Sequence, residues 1–456
     1  MQTSISKLQE IDRKHILHPT TVPSVNAQEG PKIIFSRGEG VRVRDINEKN
    51  YIDGVSMLWN VNVGHGNEEL ASAAYEQMTA FAYGSQFYGF SNEPAIKLAE
   101  KLGEWAPGDL NNVFYTSGGS ESNDTAFKLA RFYWQKKGFT NKKIIISLTR
   151  GYHGVTVGAQ RATGIEAFRD FSGSGDPNIY NAKAHLTNAE KGDTSDQNYA
   201  SSVRSMIEEL GSEQVAAVIL EPIQGAGGVH MPPDGYLEAI RQLCDEKSVL
   251  MISDEIICGF GRTGKNFGVD HWGVIPDMIC FAKGITSGYF PLGGVLMSDA
   301  IKSTIDQHED VLAHGFTYSG HPSACAVGLK NLEILERENI LENVISMEKV
   351  LTDGLKYLEN KHKYVTKIRN KGLLAGFELM KDPENGIPFE SPIQASSKLV
   401  EKCLSHHLII RPFDFEEGMN IIAIAPPLII NEKEINEIID IIDTSLTELE
   451  SEWNDL

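Results

Sequence analysis

Between about residues 143 and 297, short apolar runs rich in Val and Ile alternate with longer polar stretches of helical pattern. The runs are KIIIS (143–147), VAAVILEP (215–222), VLMISDE (249–255), DMICFAK (277–283) and GGVLM (293–297). They lack the alternation of a strand with one wet face, so they predict strands buried on both faces of a mainly parallel sheet. Separators of helical length between the earlier runs predict an α/β layer architecture. Beyond about Ala326 the pattern changes to a long helical stretch, a strand-like GLLAGFELM (372–380) and a last helix with Ile435, Ile438, Ile439 and Ile442 at helical spacing. Together with VRVRDINEKNYIDG near the start, this tail predicts a smaller α+β unit built from both ends. Residues 1–70 and 326–456 would form it, around a large domain of residues 71–325.

Composition narrows the class. The chain has 456 residues, 41% of them hydrophobic, with 42 Lys and Arg against 62 Asp and Glu and a formal net charge of -20. That balance argues against nucleic acid or an anionic membrane as partner. Five scattered cysteines without a C-x-x-C pair fit a reducing compartment better than a disulfide framework or zinc site. The opening MQTSISKLQEIDRKHI lacks the apolar core of a signal peptide, and no run reaches the about 20 apolar residues that cross a bilayer. A cytoplasmic protein is expected.

Three apolar runs end on a chemically active side chain: Glu221, Asp254 and Lys283. In parallel α/β sheets ligands bind beyond the carboxyl ends of the strands, so neighbouring strands would bring the three together. Taken singly, a terminal Asp or Lys is more often solvated than catalytic. Residues 116–121, Thr-Ser-Gly-Gly-Ser-Glu, precede an amphipathic run with Ala126, Leu129, Ala130 and Tyr133 on one face. Glycines before a helix let backbone N–H groups approach a phosphate, although most such turns are only caps. An amine, a carboxylate and a phosphate cradle together suit pyridoxal 5'-phosphate. Lys283 would meet its aldehyde in a Schiff base, Asp254 would keep its ring nitrogen protonated, and Gly119–Ser120 would take its phosphate.

On these residues the chain resembles the class III (omega) aminotransferases of pyridoxal-phosphate fold type I. The matching segments are LWNVNVGHG (58–66), TSGGSESNDTAFKLAR (116–131), GYHG (151–154), EPIQGAGG (221–228), SDEIICGFGRTG (253–264), FAKGITSGYFPLGG (281–294), TYSGHP (317–322) and the RP…APPLII pair (411–430). The resemblance implies that Lys283 also carries the proton between substrate and cofactor, and that Asp254 pairs with the pyridinium nitrogen. It places Tyr152 on one ring face and Ile256, where the family more often has Val, on the other. Thr317 would join the phosphate site from a neighbouring subunit, which implies a homodimer with shared sites. Arg411 would be a movable arginine for a substrate carboxylate, and Trp59, Phe87 and Tyr88 would wall the side-chain pockets. Seen alone, Arg411 reads as a surface residue before Pro412, and the aromatics read as core. Glu221 either holds a polar group of cofactor or substrate or pairs an arginine.

The resemblance leads to a ping-pong aminotransferase that moves an amino group from a primary amine, a beta- or omega-amino acid or a taurine-like donor to pyruvate. His321 in SGHP is similar to the amine:pyruvate branch, and Thr20 in HPTT departs from the usual aromatic. The alternatives are a lyase, mutase or decarboxylase on the same scaffold, or a non-enzymatic relative. Other motifs carry less. GFGRTGK (259–265) mimics a phosphate loop, but Asn266 stands where Ser or Thr would bind Mg²⁺, and no helical pattern follows. No G-x-S-x-G elbow occurs, and the 13 histidines show no metal spacing. His153 either touches the cofactor or makes a structural hydrogen bond.

Overall fold

The computed structural model describes residues 5–173, 175–184 and 200–453. At its centre is a seven-stranded sheet in the order Asn112–Thr116, Gly293–Met297, Met278–Phe281, Leu250–Asp254, Val215–Leu220, Ile144–Leu148 and Ile179–Ala182. The last five pair in parallel. Gly293–Met297 departs from the parallel expectation: it runs antiparallel to both neighbours. Only short loops and a 3-10 turn separate it from Met278–Phe281, too little chain for a parallel crossover. Every residue of Val215–Leu220 is buried, as an unbroken apolar run requires when helices cover both faces.

The helix Gly119–Lys136 begins at the carboxyl end of Asn112–Thr116 and lies across this sheet. Its buried Ala126, Phe127, Leu129, Ala130 and Trp134 pack with Ile219, Ile252 and Val295 from the strands. Burying that face fixes where the amino end of the helix points, and hence where its unsatisfied N–H groups lie.

Two smaller sheets combine the chain ends. Phe35–Glu39, Arg42–Asp45 and Asn50–Asp53 form an antiparallel meander, and Leu408–Ile409 joins it parallel to Asn50–Asp53. Val365–Lys371, Leu374–Asp382, Ile421–Ile424 and Arg411–Phe413 form the other, with Ile387–Pro388 on its edge. The last helix, Glu432–Trp453, buries Ile435, Ile438, Ile439 and Ile442. Among the described residues, no helix is long and apolar enough to cross a membrane.

One side chain ties these parts together. Arg262, fully buried in the GFGRTG loop, donates from Nη1 to the Leu373 and Pro426 carbonyls at 3.0 and 2.6 Å. Its Nη2 reaches Ser56 Oγ at 2.9 Å and Asn62 Oδ1 at 3.2 Å. Burial pushes the guanidinium down to about 9, against the opposing pull of the Asp53 charge. The loop that imitates a phosphate site is therefore a structural clasp. Arg262→Met would keep the apolar stem but leave these buried acceptors without their donor. We expect it to lower the unfolding free energy in urea by about 3 kcal/mol, and a loss under about 1 kcal/mol would contradict the clasp.

Candidate active site

Because Val215–Leu220, Leu250–Asp254 and Met278–Phe281 are adjacent and parallel, their carboxyl ends open on one side of the sheet. Glu221, Asp254 and Lys283 stand at those ends.

Asp254 is almost fully buried and held on three sides. Its Oδ2 accepts from Asn123 Nδ2 at 2.8 Å and pairs with His153 Nδ1 at 2.8 Å. Its Oδ1 accepts the Ile256 N–H at 3.2 Å. His153 Nε2 is buried and has no hydrogen-bond partner among the described residues. Lys283 follows its strand with a left-handed backbone (φ 47°) at the start of a 3-10 turn. Burial pulls its ammonium down to about 8, while Asp254 and Glu221 pull upward and Arg411 adds to the depression. Its Nζ stands 5.2 Å from the centre of the Trp59 ring system.

Among the described residues Glu221 pairs no arginine. It accepts the Tyr152 N–H on Oε1 at 2.9 Å and the Gly225 N–H on Oε2 at 2.8 Å. Burial pushes it up to about 7, with Asp254 pushing the same way and His153 opposing. It therefore fixes the loop that presents Tyr152, whose ring meets Phe168 edge-on at 5.5 Å. Neighbouring Glu255 is also buried. It accepts the Gly268 and Val269 N–H groups at 2.7 and 2.9 Å, and burial lifts it to about 8.

At the amino end of Gly119–Lys136, a Cβ on Gly119 would lie 2.7 Å from Ile256 Cδ1. Any larger residue there would push the Ile256 side chain off the helix end. Ser120 Oγ accepts the Val155 N–H at 3.1 Å, which binds the loop after Tyr152 to the same helix end. Arg411 is half-buried, not a free surface residue. Its Cζ lies 4.9 Å from the Trp59 ring and 5.8 Å from that of Phe413, and burial lowers its pKa. Trp59 is buried and stacks on Phe413 at 5.8 Å with the planes 4° apart.

Phe87, Tyr88 and Thr317 fall elsewhere. In the single chain Tyr88 is 94% exposed and Phe87 40%. Thr317 is also exposed, and its carbonyl accepts the Tyr83 hydroxyl at 2.8 Å. Phe87 borders the same segment, since a Cβ on Gly315 would touch its ring at 2.9 Å. These residues form a patch of their own. Asn123 is a site residue that sequence reasoning missed, although it lies one helical turn from Gly119 and so shares its face.

The set fits pyridoxal phosphate: an amine lowered toward neutrality, a carboxylate fixed by two side chains, and a glycine-opened helix end. Among the described residues no group of His, Cys, Asp and Glu could hold a metal.

The family model for Aminotransferase class-III matches residues 24–446. The chain is 38% identical over 441 residues to the putrescine–pyruvate aminotransferase of Pseudomonas aeruginosa, covering 94% of each. It superimposes on a transaminase from the marine bacterium Virgibacillus with a TM-score of 0.94 at 45% identity, covering 98% of this chain and 99% of that one. The omega transaminase of Pseudomonas jessenii in complex with PMP gives a TM-score of 0.91 at 35% identity, over 97% and 98%.

Gly119→Ala is expected to weaken pyridoxal phosphate binding at least about tenfold in an equilibrium titration, because the new methyl collides with Ile256. Adding Ile256→Val removes the struck Cδ1 and should recover most of that loss. Simple additivity of the two changes would contradict the close approach.

Proposed function

The chain belongs to the class-III aminotransferases, which depend on pyridoxal phosphate, and on that premise we propose that it passes an amino group from a primary amine or omega-amino compound to pyruvate. When bound, the cofactor supplies an aldehyde carbon and a ring that accepts electrons. The residues around it divide the remaining work. Lys283 holds the cofactor and, neutral above about pH 8, takes the proton from the amine-bearing carbon of the donor. Asp254, its carboxylate fixed by Asn123 and His153, would keep a proton on the ring nitrogen. Tyr152 and Ile256 would flank the ring, and Gly119 and Ser120 would hold the phosphate.

The observation that carries this reading is the pairing of a buried, braced Asp254 with a lysine whose amine burial has brought close to neutrality. A lysine left in water would stay almost wholly charged at neutral pH, leaving only a small fraction able to bind an aldehyde or accept a proton.

Arg411 supports an oxo-acid acceptor. No side chain among the described residues forms an ion pair with it, so its planar fork is available to a carboxylate such as that of pyruvate. For an apolar amine the same side chain swings aside. Trp59 walls the pocket beside it. The putrescine–pyruvate relative supports an amine donor and a pyruvate acceptor. Phe87, Tyr88 and Thr317 complete the site from a partner subunit in a homodimer, a reading supported by their joint exposure in one chain. A cytoplasmic setting is supported by five free, buried cysteines.

The test is a half-reaction. Cofactor-loaded protein is mixed with a panel of amine donors, without acceptor, while the cofactor absorbance is followed. We expect conversion to the amine form of the cofactor and its reversal by pyruvate, both lost in Lys283→Ala. Release of product with unchanged cofactor absorbance would overturn transamination in favour of a lyase or decarboxylase.

A further inference from the structure

Trp59 is carried by a strained turn. Ser56 (φ 48°), Met57 (φ 55°) and Trp59 (φ 57°) are all left-handed, and none is glycine. Side-chain-bearing residues leave that region unless something outside the turn holds them. The restraint here is Asp53, at the end of the strand Asn50–Asp53 and fully buried. Its Oδ1 accepts the Val55 N–H at 3.2 Å and the Met57 N–H at 2.9 Å, and its Oδ2 also accepts Met57 N–H at 2.9 Å. Oδ2 is shared with His65 Nε2 at 2.8 Å.

His65 is itself set rigidly. Its backbone exchanges two hydrogen bonds with Gly40, at 2.8 and 2.9 Å. Its Cβ lies so close to Gly38 that a side chain there would meet it at 2.6 Å. The imidazole thus fixes the plane of the Asp53 carboxylate, and the carboxylate fixes the N–H groups of the turn. On the far side Ser56 Oγ donates to the Ala425 carbonyl at 2.8 Å. The turn then delivers Trp59 to the pocket, beside Lys283 Nζ and under Arg411.

We propose that His65 and Asp53 are positioning residues that set donor affinity by holding Trp59 against Arg411 and Lys283. The proposal rests on the reading of that pocket as the aminotransferase site. Neither residue touches the reacting atoms, so the chemical step at Lys283 is left alone while the wall against which the donor packs is fixed. Without His65, Oδ2 loses its fixed partner, the carboxylate can turn within its remaining bonds to Val55 and Met57, and the indole tilts.

Five holoenzymes test this: wild type, His65→Leu, His65→Gln, Trp59→Ala and His65→Leu combined with Trp59→Ala. In His65→Leu we expect KM for a small linear amine to rise about tenfold while kcat stays within about twofold of wild type. Gln, whose amide can donate where Nε2 does, should restore KM. Set against Trp59→Ala alone, His65→Leu should add almost nothing, since the residue it positions is gone. Equal effects in the presence and absence of Trp59, or a fall in kcat without a change in KM, would overturn the proposal. A second readout is independent of any reaction. The emission of Trp59 is taken as the difference between each protein and its Trp59→Phe counterpart. It should be blue and shielded from acrylamide in wild type, and red-shifted and quenched in His65→Leu. An unchanged Trp59 signal overturns the positioning role even if no donor is turned over, whereas absence of turnover in wild type with a shifted signal sinks only the aminotransferase reading.

Discussion

The structure is organised around one electrostatic constraint: a lysine amine and a carboxylate must share a water-poor pocket without neutralising the site as a simple ion pair. Burial by itself disfavours both charges. For Asp254 that cost is offset by Asn123, His153 and the Ile256 N–H, which supply the hydrogen bonds that water would otherwise give. Among the described residues Lys283 has no comparable hydrogen bonds, and its amine drops to about 8. The asymmetry is useful, since a fixed anion suits a cationic ring nitrogen and a poised amine suits an aldehyde and a mobile proton. Its geometry follows from the parallel sheet, which places both residues at the ends of neighbouring strands.

The same physics governs the loops around the pocket. Three buried carboxylates here bind backbone N–H groups in place of arginines or lysines. Asp53 pins the turn before Trp59, Glu221 pins the loops at Tyr152 and Gly225, and Glu255 pins the turn at Gly268 and Val269. Each arrangement satisfies donors in irregular backbone that no strand or helix could serve. Arg262 does the converse, binding the carbonyls of Leu373 and Pro426 between segments far apart in sequence. The walls of the pocket therefore come from loops whose backbone is pinned by buried side chains. Arg411 is the exception: it rests on the aromatic faces of Trp59 and Phe413.

Much of this is legible in the sequence, for identifiable reasons. Apolar runs without alternation mark the buried strands, and polar residues at their ends mark the side of the sheet that matters. The orientation of Gly293–Met297 is not legible, because a strand buried on both faces reads the same in either direction. The partners of Glu221 are not legible either, since backbone N–H groups leave no trace in residue identity. The role of His153 stays open at the level of sequence, because a histidine beside a tyrosine carries no signal of which carboxylate it faces. The turn at Ser56–Trp59 is invisible for a related reason: Ser-Met-Leu-Trp contains no glycine to advertise left-handed backbone. Phe87, Tyr88 and Thr317 enter through family resemblance, and a single chain leaves them exposed.

Lys283 is poised by burial against the opposing charge of Asp254, and the most direct test of that balance is a titration of the lysine itself. The rate at which apoenzyme captures pyridoxal phosphate covalently is measured across pH in wild type and in Asp254→Asn. Capture requires the neutral amine, so the rate should rise with pH through a midpoint near 8 in wild type. Asp254 favours the charged form, so removing its charge should move the midpoint lower. A wild-type midpoint near 10.5, the ordinary value for lysine, or one that ignores the loss of Asp254, would contradict the account.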